Sequence, residues 1–161
     1  MEGQTVTEPD HPEAPTAEWF ERIAGQSGLV FFALRIHPDL AYEYISDAVE
    51  SRIGVTQAEV LADVDALHSR IDPDYIGILT SALATRPGHQ AFVELKWQHR
   101  NGTPLYTRCW MQARQRPDGS IIMEGTVDEI TELRETQAEL RHSEQRHRLL
   151  AQNAWDVVWT M

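Results

Sequence analysis

Groups able to do chemistry are sparse in this chain and scattered along it. Its 161 residues include one cysteine, Cys109, and seven histidines. His11, His37, His99, His142 and His147 fall in prospective loops, turns or a charged connector, and their spacing matches no metal-ligand pattern. His68 and His89 flank a prospective helix from Asp72 to Thr85, where a solvent-facing or capping role is the commoner one for histidine. The sequence holds no nucleophile–base–acid arrangement, no phosphate-cradling glycine loop and no paired-carboxylate motif. These residue types point away from an enzyme, so what matters is the scaffold and what it encloses.

That scaffold centres on the stretch from Ala91 to Val127. Asn101-Gly102 and Pro117-Asp118-Gly119 supply two tight reversals, which divide it into three antiparallel strands. Val93, Leu95 and Trp97 share one face, with Glu94, Lys96 and Gln98 on the other. Thr107, Cys109, Met111 and Ala113 alternate in the same way with Tyr106, Arg108, Trp110 and Gln112. A meander with one apolar face needs a cover, which the preceding segment must provide.

Residues 1–16 are acidic and proline-rich, with no Lys or Arg, and read as disordered. Residues 17–28 form a cap helix carrying Trp19, Phe20 and Ile23 on one side, broken between Gly25 and Gly28. Those aromatics are expected over the outer sheet face, beside Tyr106 and Trp110. Leu29 to Ile36 and Leu40 to Ile45 read as strands, followed by short helices. Thr56 and Glu59 have capping-box spacing, and Asp72-Pro73 is a helix start whose apolar stripe is Ile76, Leu79 and Leu83. Residues 129–150 switch to helical period in a charged run. The last seven residues, WDVVWTM, read as the start of another strand.

The net charge is −11, from 25 acids against 14 bases, and Lys96 is the one lysine. That balance argues against nucleic acid and against an anionic membrane surface. A lone cysteine fits a reducing compartment, and no apolar run reaches a membrane-spanning length of about 18 residues. A cytoplasmic location follows as the expectation. An apolar fraction of 42% is enough for one real core.

The order of elements from Ala17 to Thr131 resembles a PAS domain, the small sensory module of signalling proteins. HRNG at His99 to Gly102 is similar to the family's turn between its third and fourth strands. PDGSIIMEGTVDEIT, Pro117 to Thr131, is similar to its closing strand and linker signature. The family's Asp-Ile-Thr stands here as Glu129-Ile130-Thr131, with Asp128 one residue early. From Ser143 onward the tail resembles the opening of a second PAS domain, which would occupy residues 151–161 and beyond. The implied fold is α+β: a five-stranded antiparallel sheet over residues 29–128, short helices on one face, an N-terminal helical cap and a C-terminal linker helix. Pocket walls would come from Phe32, Leu34, Leu79, Val93, Leu95, Trp97, Thr107, Cys109, Met111 and Val127, although inner-face side chains are more often simply core.

The resemblance raises two cofactors, and the residues argue against both. Flavin-binding relatives use an Asn-Cys-Arg motif and inner-strand amides, whereas this sequence lacks the motif and offers Trp97, Thr107 and Val127. Haem-binding relatives place a histidine on the long helix, which here has none. Whether any ligand exists is left open. The expected role is a sensory and dimerising input module, with a possible small-molecule ligand, relaying through Glu129, Ile130 and Thr131 to a downstream histidine kinase or cyclic-dinucleotide enzyme. The homodimer seam would use Leu133, Leu140 and His147. The alternative is an interaction module with a filled core and no ligand.

Overall fold

The computed structural model describes residues 17–158, with side chains described for residues 22–151. After helix α1 (Ala17–Ser27) come strands β1 (Val30–His37) and β2 (Ala41–Ile45), then helices α2 (Ala48–Ile53), α3 (Gln57–Ala62) and α4 (Asp65–His68). A 3-10 turn (Pro73–Tyr75) leads into α5 (Ile76–Leu83), followed by β3 (Gln90–Gln98), β4 (Pro104–Gln115), β5 (Ile121–Glu129) and α6 (Thr131–Val158). The strands form one antiparallel five-stranded sheet in the order β2-β1-β5-β4-β3. The N-terminal hairpin therefore docks against the last strand, and β1, β5 and β4 are central. The expected α+β architecture, with short helices on one face, is the one observed.

Period-two alternation sets the faces. Register places Phe32 beside Gly125, Gly125 beside Met111, and Val127 beside Cys109, so these residues share the inner face. Leu34, Leu95, Cys109 and Met111 are buried there against Val49, Ile53, Val60 and Leu67 of the helical layer. Local signals fix the helices: the Thr56 hydroxyl accepts from the Glu59 N–H and the Glu59 carboxylate accepts from the Thr56 N–H, closing the capping box. Asp72 accepts from the Asp74 N–H at the 3-10 turn. The helical layer is stitched to the edge of β3 by the Asp72 N–H, which donates to Lys96 O at 2.8 Å, and by the Gln98 N–H, which donates to Arg70 O at 2.7 Å.

Three expectations need correction. The helix does not break at Gly25; it runs to Ser27 and ends at Gly28, whose φ of 69° suits a residue without Cβ. The helix expected from Asp72 to Thr85 is a 3-10 turn plus the shorter α5, and Ile76 is 48% exposed while Ala82 is buried. The strand expected from Trp155 is helix through Val158, because extending a helix costs far less than nucleating one; Trp159 to Met161 lie outside the described residues. Among the described residues no helix is long and apolar enough to cross a membrane.

Candidate functional site: an inner cavity and the root of the last helix

Between the inner sheet face and the helices lies a cavity of about 30 Å³. Phe32, Leu34, Leu79, Leu95, Trp97, Cys109, Met111 and Val127, all expected at such a wall, line it. Two other expected residues do not. Val93 shares their face but sits farther along β3, facing an open groove beside α5. Thr107 is fully buried, its hydroxyl accepting from Trp97 Nε1 at 2.7 Å and lying 3.7 Å from Cys109 Sγ, so it packs behind the lining.

Two lining residues that the sequence reading missed give the cavity its polar corner. Tyr42 Oη and His68 Nε2 share a hydrogen bond of 3.0 Å, and the Tyr42 ring meets Phe32 edge-on. His68, expected at the surface or at a helix cap, instead closes this wall from α4. Twenty-six residues separate the pair, so no local spacing announces it. Burial, and secondarily Cys109, pushes the Tyr42 phenol up; burial pushes the Cys109 thiol up to about 11; burial draws the His68 imidazole down against the opposing pull of Asp65. All three groups are therefore neutral at physiological pH, and no lining side chain carries charge.

This chemistry makes a largely apolar, uncharged enclosure. Its volume is about that of one liquid water. A flavin ring needs hydrogen-bonding partners along its polar edge, and none of the lining side chains is an amide. A haem iron needs a free imidazole, whereas His68 Nε2 is engaged by Tyr42. The residues present fit neither group. Leu79 and Leu83 of α5 are only partly buried, as are Tyr42 and Val127 of the other walls.

A pH dependence follows from His68. Its pKa is held below the ordinary 6.5, so the unfolded chain takes up a proton first as the pH falls. The stability contributed by neutral His68 is complete above 6.5 and is lost as pH drops from there through the lowered value. Urea midpoints measured on either side of the ordinary histidine pKa should fall on the acid side in the native protein and fall less in His68→Gln. An equal fall in both proteins would assign the slope to another group.

The second feature is where β5 becomes α6. The Ile130 N–H donates to Tyr106 O at 2.8 Å, and the Tyr106 N–H donates to Thr131 Oγ1 at 3.0 Å. Ile130 is buried, and Glu129 pairs with Arg52 of α2 at 3.3 Å. Arg52 Nε also donates to Gly28 O, tying the end of α1 to the same junction. One turn into α6, Arg134 stacks on the Tyr106 ring at 4.6 Å and pairs with Glu94, which also pairs with Arg108 at 3.3 Å. The cover on Tyr106 thus includes Arg134. The side chains of Trp19 and Phe20, expected over this outer face, lie outside the described residues, while Phe92 and Trp110 are 64% and 38% exposed.

No protein-family model matches this chain, and no curated protein matches it. Solved structures do. The chain is similar to a sensory box histidine kinase/response regulator from Burkholderia thailandensis E264, at 20% identity and a TM-score of 0.62, over 80% of this chain and 97% of that one. It is similar to the N-terminal domain of a diguanylate cyclase with PAS/PAC sensor from Marinobacter aquaeolei, at 17% identity and 0.52, over 64% and 95%. It is also similar to the PAS domain of the fruit-fly ELK potassium channel, at 12% identity and 0.54, over 70% and 98%. The chain has the PAS fold. A kinase, a cyclase and a channel share that fold, so function has to be argued from the site.

Proposed function

We propose that this chain is a sensory and dimerising input module that carries no catalysis of its own and passes a signal through α6 to a downstream domain. The observation that supports it is the short path from cavity to helix. Val127 lines the cavity, and three residues later Ile130 is buried at the root of α6, with Tyr106 of β4 bonded to both Ile130 and Thr131. A displaced wall would move the helix root through Glu129, Ile130 and Thr131. Sensor domains of a histidine kinase and a diguanylate cyclase among the similar structures favour those two effector classes. Native mass spectrometry, joined to amide exchange before and after stripping any retained small molecule, tests the relay. Exchange at residues 129–131 should change on stripping; a retained ligand whose removal leaves them unchanged would sink it.

The second reading, an interaction module with a filled core, draws on the cavity volume of about 30 Å³, which admits little without rearrangement. A purified protein that retains nothing, and binds no guest until a wall residue is truncated, would favour it.

The first reading uses a parallel dimer through α6, whereas in the second the sheet face or the linker helix binds a partner or a copy. Leu133, Leu140, Leu149 and Leu150 are 45%, 60%, 54% and 67% exposed, whereas Ile130 is buried against its own sheet and unavailable to a partner helix. The seam therefore begins at Leu133 and continues through Leu140 and His147. Replacing Leu133 and Leu140 together by Glu should shift the protein to monomer in sedimentation velocity. A persisting dimer would place the interface elsewhere.

A further inference from the structure

Beyond its first turns α6 stands off the sheet, across a groove of about 490 Å³ whose lining includes Tyr106, Arg108, Gln137, Ala138 and Arg141. Arg134, Arg141 and Arg148 recur every seven residues along α6, so they form a row on one side of it. That side is turned toward the sheet, since Arg134 meets Glu94 and Tyr106 and Arg141 lines the groove. Arg134 is already paired. Arg141 and Arg148 are exposed and enter no ion pair among the described residues. Residues 141–148 carry three arginines against one glutamate, in a protein whose net charge is −11. The far end of α6 is thus a basic strip on an acidic molecule, with its charge unspent.

We propose that this strip seats the acidic segment before α1 of the same chain, residues 1–16, which holds Glu2, Glu8, Asp10 and Glu13 and no Lys or Arg. Charge selects that occupant, and spacing agrees with it. Pro9, Pro12 and Pro15 recur every third residue, the period of a polyproline II helix, and Asp10 and Glu13 would share another side of such a helix. Three residues of that form advance about 9 Å, against about 10.5 Å for the seven helical residues between Arg141 and Arg148. The prolines also leave less chain freedom to lose on docking. Reach is sufficient. Gly28, just past α1, is tied through Arg52 to Glu129 at the root of α6. The length of α1 is about 16 Å, and Arg141 lies about 15 Å along α6 from Thr131, whereas residues 1–16 span up to about 50 Å when extended. Exposed ion pairs are individually weak, but the tether keeps the acids near the strip at an effective concentration on the order of millimolar. The docking is therefore salt-labile, and an acidic partner of α6 would have to displace the segment.

A nitroxide on Val6→Cys of the full chain, read through the amide signals of isotope-enriched protein, reports where the segment sits. Cys109 stays unlabelled, being buried. At low salt the amides of residues 137–148 should lose most of their intensity, while those of residues 38–40, in the turn after β1, keep theirs. The loss should vanish near about 1 M salt, where the screening length falls to about 3 Å. It should vanish as well when Glu2, Glu8, Asp10 and Glu13 are replaced by their amides, and in the double variant Arg141→Gln, Arg148→Gln. Arg146→Gln, on another side of the helix, should leave it in place. No loss at residues 137–148 in the native protein would overturn the proposal, and so would an undiminished loss in either neutralised protein. Mixing labelled chain with enriched, unlabelled chain should produce almost none of the loss. A loss as strong in that mixture would put the segment on a partner copy and overturn docking within one chain.

Discussion

Gly125→Ala is expected to cost about 3 kcal/mol or more and to lower the melting temperature by about 10 °C, or to prevent folding altogether. Gly125 lies on central strand β5, between Phe32 on one side and Met111 on the other. A Cβ there would sit 2.1 Å from Trp110 O and 2.9 Å from Met111 Cα. Both are main-chain atoms of β4, so no rotamer change can relieve the clash. The strands would have to part at the middle of the sheet, and a domain of this size has only about 5–15 kcal/mol of stability in all. Gly77 of α5 supplies the contrast: nothing lies within 4 Å of its prospective Cβ, and its φ is not positive. Gly77→Ala should therefore be neutral or stabilising, by up to about 1 kcal/mol. Thermal melts of the two variants followed by circular dichroism make the comparison. A Gly125→Ala protein that melts with the native one would mean that β4 and β5 are not spaced as described.

Leu95→Ala should have an effect of similar size by the opposite route. Leu95 is 1% exposed and lines the cavity, so truncation adds empty space to a site that is already not quite filled. Lost transfer energy plus the added void cost about 3 kcal/mol for buried leucines of this kind. The enlarged cavity remains apolar, since its polar corner, Tyr42 with His68, is internally satisfied. Enlarged dry cavities accept small aromatic guests. Benzene or indole should accordingly restore part of the lost melting temperature in Leu95→Ala while leaving the native protein almost unmoved. A native protein that gains as much from the guest as the variant does would show that its walls already open to admit ligands. That outcome would favour the sensory reading over the filled-core one.

Local chemistry settled much of this molecule before any long-range contact formed. The reversals at Asn101-Gly102 and Pro117-Asp118-Gly119, with Gly102 and Gly119 at positive φ, force β3, β4 and β5 into consecutive hairpins. Alternation then decides which side chains face inward, because a one-residue slip would turn every apolar group to the wrong face. Thr56 with Glu59, and Asp72 before Pro73, start their helical segments from groups within three residues of each other. Strand parity puts seven of the eight expected lining residues on the inner face, together with Val93 and Thr107, which do not line the cavity, and helical spacing places Leu79.

What parity cannot supply is which surfaces meet. Tyr42 finds His68 across 26 residues, Arg52 finds Glu129 across 77, and Glu94 finds Arg134 across 40, each pair brought together by the folding of the helical layer or of α6 onto the sheet. Ile122 faces outward by register, between Arg35 and Arg114, yet is fully buried, because long arginine stems can roof an apolar neighbour while their charged ends stay in water. The size of the cavity belongs to the same class. A void is the small remainder left when many large side chains fill a fixed space, so its volume depends on all of their positions at once.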